Sequence, residues 1–165
     1  MRWMWSMGDY TSLAERLEAH SQTLADACNL GLGTLVLDVA AGNGNFAVAA
    51  ARRGALVTAT DLTPSMIELG RIRTAEIGAI AWSEADAEQL PFGDGTYHVV
   101  ASVFGAQFAL RPEVVASEMF RVAKPGGLVA MANYGPGGFL GRLSDLMASF
   151  SARPAFDLPS PFALG

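Results

Sequence analysis

Cysteine is almost absent from this chain of 165 residues, with Cys28 alone, so no disulfide framework can hold the fold. Histidine is as scarce. His20 and His98, with one thiol, do not make the clustered ligand set that a metal ion needs. Lys124 is the only lysine among 11 basic residues, which leaves few candidates for lysine chemistry. No apolar run reaches the ~18 residues of a membrane span, because Arg52, Arg53, Asp61 and Glu68 interrupt the most apolar third. The N-terminus meets Gly8 and Asp9 before an apolar stretch of signal-peptide length can form. An excess of positive charge is missing too. Eleven basic against 16 acidic residues leave a net charge of −5, the wrong sign for a phosphate-binding footprint. These absences lead us to expect a soluble, cytoplasmic protein that engages neither nucleic acid nor membrane.

What is abundant is apolar: 51% of the residues are hydrophobic, which excludes a disordered chain. A folded chain of this size hides roughly 69% of the surface its unfolded form exposes, enough for one core and too little for two. The sequence therefore predicts a single domain over 1–165. Within it, residues 1–30 form an N-terminal flap and helix, 34–134 a ligand-binding core, and 135–165 a helix with a proline-rich end.

Residues 9–29 read as a helix, with Leu13, Leu17, Leu24 and Cys28 at helical spacing and Glu15, Arg16 and Glu18 opposite. Residues 34–39 (TLVLDV) make a short apolar strand of the kind buried on both faces. The glycine-rich turn AAGNGN and an alanine-rich helix follow. Residues 55–60 form a second strand, ending at Asp61. Thr63 and Pro64 then open a helix as N-cap and first residue, running to about Ile77. Residues 79–83, 97–104 and 128–133 supply three more strands, with a helix over 111–122 and a tight turn at KPGG before the last. Strand alternating with helix predicts an α/β fold with a doubly wound, mostly parallel sheet.

Ligands of such sheets bind outside the carboxyl ends of the strands. The residues leaving those ends are Asp38 with its glycine turn, Asp61, Asp86 and the segment 103–108. Gly42 and Gly44 permit a sharp turn and a close ligand approach. Asp61 is placed to accept two hydrogen bonds from a ribose diol, and Asp86 to accept from an exocyclic amine. Leu62 and Met66 can wall a flat ring. A strand-tip acid contributes little packing, so loss of Asp61 is expected to leave the fold nearly unchanged. Gly42, Gly44 and Ala47 also satisfy the dinucleotide pattern G-x-G-x-x-G/A. Asp38, however, would repel a pyrophosphate at that turn and attract a ligand carrying an ammonium or sulfonium.

The order LDVAAGNGN, ATDLTPSMIELG, EADAEQLPFGDGTYHVVAS, EMFRVAKPGGLVAM is more specific than any one piece. On these motifs the chain resembles the class I S-adenosylmethionine-dependent methyltransferases, in particular the small-molecule branch related to ubiquinone/menaquinone biosynthesis methyltransferases. The resemblance covers roughly residues 35–134. It implies a Rossmann-like fold, S-adenosyl-L-methionine as cofactor and methyl transfer to a small-molecule acceptor. It further implies that Asp38, Ala40, Gly42 and Gly44 line the methionine part of the cofactor. Asp61 would bind the ribose, Leu62 and Met66 flank the adenine, and Asp86 and Ala87 meet its amine. Val103 opens the stretch that passes the methyl group. Tyr97-His98 departs from the family's usual aromatic-Asp pair.

Two other readings stay open: a nicotinamide (NAD(P))-dependent oxidoreductase on the same glycine turn, and a cofactor-binding domain that is inactive or incomplete. The first has Asp38 and the lack of a Tyr-x-x-x-Lys pair against it. No residue is assigned as a catalytic base. Tyr10, Gln107 and Tyr134 are expected to face the acceptor, Trp3 and Trp5 to form part of a flap, and His98 to pack in its strand. The resemblance also implies a sheet order 3-2-1-4-5, and the chain departs from the family in that the antiparallel pair of strands which usually covers the fifth strand is not visible in the sequence. That leaves LVAMAN as an uncharged edge, on which we expect a truncated chain or a homo-oligomer.

Overall fold

Val36, Leu37, Asp38 and Val39 point by turns to opposite faces of their strand, and this period of two organises the molecule. The structure, a computed structural model, describes residues 10–150. Helix α1 (Tyr10–Ala27) precedes β1 (Leu35–Val39), α2 (Asn45–Ala51), β2 (Leu56–Asp61), α3 (Pro64–Arg73), β3 (Ile80–Glu84) and β4 (Tyr97–Val103). A short 3-10 turn (Ala106–Phe108), α4 (Pro112–Val122), β5 (Ala123–Ala132) and α5 (Phe139–Phe150) complete it. The five strands lie in the order β3-β2-β1-β4-β5, every neighbouring pair parallel. This is the expected α/β architecture and strand order. Trp3, Trp5 and the proline-rich end, expected as flap and tail, fall outside the described residues.

Each face of the sheet carries its own core. Val36, Val57, Ala59, Val99 and Ala101 pack with Ala25 of α1, with Cys28 just after it, and with Phe46, Ala47, Ala49 and Ala50 of α2. Leu37, Val39 and Val100 pack on the other face with Val115, Met119 and Val122 of α4. Ala47, Ala49 and Ala50 of α2 have no exposed surface, and their small side chains let that helix lie close to the strands. Arg53 fastens α1 to α2, donating to Asp26 at 2.6 Å and to Gln22 at 3.1 Å. Among the described residues no helix is long and apolar enough to cross a membrane.

Two local expectations change. Helix α3 stops at Arg73 rather than near Ile77, because Thr74 leaves helical geometry. Its hydroxyl donates to Gly70 O and accepts Trp82 Nε1–H. KPGG is not a tight turn before the last strand but a bulge inside β5: Tyr97 lies opposite Ala123, whereas Val99 lies opposite Leu128. A side chain at Gly127 would meet the His98 and Lys124 carbonyl oxygens at 2.9 Å, so glycine is needed where the bulge rejoins the ladder. His98 serves the same end of the sheet, its Nδ1 accepting Leu35 N–H at 2.9 Å.

Trp82 of β3 lies over the two glycines Gly44 and Gly70, and a Cβ at Gly70 would overlap its ring. Helix propensity alone favours Gly70→Ala by about 1 kcal/mol, whereas overpacking costs about 1–3 kcal/mol. Gly70→Ala is therefore expected to lower stability in denaturant unfolding. Made together with Trp82→Leu, which removes the ring, the same change should become neutral or stabilising.

Candidate functional site

Seven of the nine buried polar side chains among the described residues gather in one region. Asp38, Thr60, Asp61, Ser102, Asn43, Thr63 and Gln107 all sit at the carboxyl ends of β1, β2 and β4 or in the segments that leave them. Hydrogen bonds lace these ends together: Thr60 Oγ1 donates to Asp38 O, and Ser102 Oγ donates to Val39 O while accepting Ala106 N–H. Beside them opens a cavity of about 470 Å³, within the size range of small-molecule sites.

Seven of the ten anticipated residues wall this cavity: Ala40, Gly42, Asp61, Leu62, Met66, Asp86 and Ala87. Three do not. Asp38 and Val103 wall a smaller neighbouring pocket, and Gly44 backs onto Trp82, where a Cβ would meet the ring at 2.9 Å. Gly44 has φ 91°, a left-handed backbone that favours glycine.

Asp61 lies at the tip of β2 and is 9% exposed. Its Oδ2 accepts Gly42 N–H at 2.9 Å and its Oδ1 accepts Thr63 N–H at 2.8 Å. The carboxylate thus joins the glycine turn to the start of α3. Each oxygen keeps a second lone pair, so a diol can still be bound. Burial raises the Asp61 pKa, although hydrogen bonding from Thr63, Gly42 and Leu62 opposes the shift. The expectation that Asp61 contributes little to the fold is corrected here: its loss orphans two backbone donors.

Asp38 is 1% exposed, because parity turns it to the α1–α2 face. Gly44 occupies the N-cap of α2 and has no side chain to offer, so Asp38 Oδ2 accepts the first-turn N–H of Ala47 at 2.9 Å instead. A carboxylate thereby holds the helix end that a pyrophosphate would need. Burial, with the nearby Asp61 charge adding and the Ala47 bond opposing, pushes the Asp38 pKa up to about 8.

The strand ends also hold strained backbone. Ala40 and Phe104 both have positive φ, 55° and 59°, at a cost of about 1–3 kcal/mol each. They meet across Gly105, where a Cβ would overlap Ala40 O and Ala40 Cβ. The Phe104 ring stacks on Tyr134 at 4.2 Å and receives His20 edge-on at 5.3 Å. Gln107, expected to face an acceptor, is 1% exposed and accepts Tyr134 N–H at 2.8 Å.

The acidic segment carrying Asp86 is held by Arg121 of α4, which donates to Leu90 O, Phe92 O, Asp94 and Glu118. Sequence reasoning passed over Glu88 and Leu110, which also wall the cavity. Arg111 Nε donates to Glu88 Oε2 at 2.7 Å and its backbone N–H to Oε1 at 2.8 Å. Burial works to raise the Glu88 pKa, but the Arg111 bonds and charge lower it overall. The pairing spans 23 residues of chain, so no local pattern announced it.

The raised Asp38 pKa fixes a pH dependence. Below about pH 4 the group is protonated whether the chain is folded or not. As pH rises toward 8, the unfolded chain releases this proton while the folded chain keeps it, so stability falls by up to about 1.4 kcal/mol per pH unit. Asp38→Asn keeps an oxygen for Ala47 N–H and removes the titration. Thermal melts should show the variant equal to the parent near pH 4 and progressively more stable up to pH 8.

Comparison with known proteins agrees with this geometry. The model of a methyltransferase domain family matches residues 37–131. An uncharacterized protein of Mycobacterium tuberculosis is 40% identical over 97% of this chain and 58% of its own length. A ubiquinone/menaquinone biosynthesis C-methyltransferase of Burkholderia multivorans is 38% identical over 78% of this chain and 54% of its own. The chain thus spans a little over half the length of these curated relatives. The fold matches phosphoethanolamine N-methyltransferase 2 of Haemonchus contortus, solved in complex with S-adenosyl-L-methionine. There the TM-score is 0.68 at 23% identity, covering 78% of this chain and 32% of that one. With the family model spanning more than half of the residues and the sheet order and strand-end cavity in place, the chain belongs to the methyltransferase domain family.

Proposed function

We propose that this domain binds S-adenosyl-L-methionine and serves methyl transfer to a small-molecule acceptor. The observation that carries the reading is the pairing of Asp61 and Asp86, at the ends of neighbouring strands, on one cavity with the apolar walls Leu62 and Met66. Those residues fit a nucleoside: carboxylate lone pairs for ribose hydroxyls at Asp61, an acceptor for an amine at Asp86, and flat apolar surfaces between. Asp86 Oδ1 already accepts Glu88 N–H at 2.9 Å, which fixes its orientation at the cavity wall.

The cofactor, when bound, supplies a methyl group already activated on a sulfonium, so transfer needs chiefly alignment and exclusion of water. This chain's residues supply both. Asp61 and Asp86 fix the nucleoside end, Ala40 and Gly42 offer a surface without bulky side chains, and Phe104 and Phe108 keep water from the cavity wall. Nothing favours a nicotinamide dinucleotide, since Asp38 Oδ2 already accepts the first-turn N–H of Ala47 that a pyrophosphate would use.

Two measurements test the reading. S-adenosylhomocysteine at about 100 times its dissociation constant should add ~2.7 kcal/mol to stability, seen as a rise in Tm that NADH does not produce. A larger response to NADH would overturn the proposal. Asp61→Ala should weaken S-adenosylhomocysteine about a hundredfold or more in calorimetric titration, given ~1.5–3 kcal/mol for each bond to a charged group. It should also lower the Tm of the ligand-free protein, because Gly42 and Thr63 N–H lose their acceptor.

A further inference from the structure

The large cavity takes one wall from residues 85–88, which leave β3, and another from the segment after β4 that ends at Leu110. Those two strands are not neighbours. In the order β3-β2-β1-β4-β5 they stand three strand spacings apart, roughly 14 Å, with the ends of β2 and β1 between them. The backbone ladder does not tie these walls together, so side chains must. Glu88 does so: its Oε1 accepts Arg111 N–H at 2.8 Å and its Oε2 accepts Arg111 Nε–H at 2.7 Å.

The turn that carries Glu88 is a small closed unit. Asp86 Oδ1 accepts Glu88 N–H at 2.9 Å, and Asp86 O accepts Gln89 N–H at 3.0 Å. Two bonds hold the ends of this unit, Ala85 N–H to Asp61 O and Leu90 N–H to Glu118 Oε2. Neither reaches the segment after β4. The Glu88 carboxylate grips the turn at its middle and bonds it to two donors of one residue, which fixes its rotation about those ends. With 12% of its side chain exposed, Glu88 is not a solvated surface acid. Both of its oxygens are engaged, so its task does not require contact with a ligand.

We infer that Glu88 is a positioning residue: by tying the wall after β3 to Arg111 it aims Asp86 at the cavity, and so lets the site select a purine that bears an exocyclic amine over the same purine without one. The inference rests on the proposed role of Asp86 as acceptor for that amine. Arg111 is the anchor, and the selectivity belongs to the bridge between the two walls rather than to Asp86 alone.

The test compares two ligands by calorimetric titration: S-adenosylhomocysteine, and its analogue with unsubstituted purine in place of adenine, which lacks only the amine. The parent should prefer S-adenosylhomocysteine about tenfold or more, the worth of one hydrogen bond to a charged acceptor, and Asp86→Ala should abolish the preference. Glu88→Ala should cut the preference to about twofold or less while leaving affinity for the analogue unchanged. Glu88→Gln, which keeps one acceptor oxygen, should give an intermediate value. So should Arg111→Ala, which leaves Glu88 and the backbone bond in place. Equal losses for the two ligands in Glu88→Ala, or no loss for either, would overturn the inference, because a merely structural role does not distinguish them. A full preference in Arg111→Ala would overturn it too, since Glu88 would then act without its anchor. If Asp86→Ala abolishes the preference and Glu88→Ala does not, the positioning role fails and the nucleoside reading stands. A parent that binds S-adenosylhomocysteine without preferring it refutes the amine contact at Asp86 and this inference with it.

Discussion

The two hydrogen bonds that Asp61 accepts, from Gly42 N–H and from Thr63 N–H, set the shape of the site. They join the turn after β1 to the turn after β2, two segments that the parallel ladder brings side by side but does not itself connect beyond Thr60. A carboxylate suits this task because each of its oxygens can accept from the backbone and retain a lone pair on the open side. The same group therefore closes the wall and presents an acceptor to the cavity. Asparagine at this position, with one oxygen and an NH2 that only donates, would leave one turn without an acceptor.

Asp38 repeats the principle one layer deeper. A buried carboxylate in the middle strand is unfavourable for folding by itself, and its raised pKa expresses that cost. It persists because it caps a helix whose N-cap is a glycine, and that glycine is fixed by the Trp82 ring. The chain of dependence runs from Trp82 to Gly44 to Asp38. Positive φ at Ala40 and Phe104 belongs to the same group of tensions. Charge, strain and unpaired polar atoms have collected at the carboxyl ends of the strands, where a ligand can relieve them, while the opposite ends are stitched by ordinary bonds such as His98 to Leu35.

Support for the site comes from farther away. Arg121, on α4, gathers two carbonyl oxygens and two carboxylates of different segments, and so fixes a long acidic connection that has little regular structure of its own. Planar guanidinium groups suit this work because they offer several donors in fixed directions. Arg53, Arg73 and Arg111 play comparable parts on α1, the glycine turn and Glu88. In a chain with a single lysine, arginine does the cross-linking between elements.

Much of this was legible in the sequence. Runs such as TLVLDV and YHVVASV fix their strands through β-branched apolar residues, glycines mark the turns, and alternation of strand with helix implies the parallel sheet. Asp38, Asp61 and Asp86 stand out because each follows or ends an apolar run, where a charged residue is out of place without a purpose. Pairings between segments distant in sequence were not legible. No spacing rule says that Glu88 will find Arg111, that Trp82 will need a glycine at 70, or that KPGG will bulge from β5 rather than turn before it. Local pattern determines which residues become strand, helix and turn, because backbone propensity and burial period act over a few neighbours. Which side chains meet at the strand ends, and therefore which of two pockets Asp38 faces, depends on the packing of helices on the sheet, and only the tertiary structure decides that.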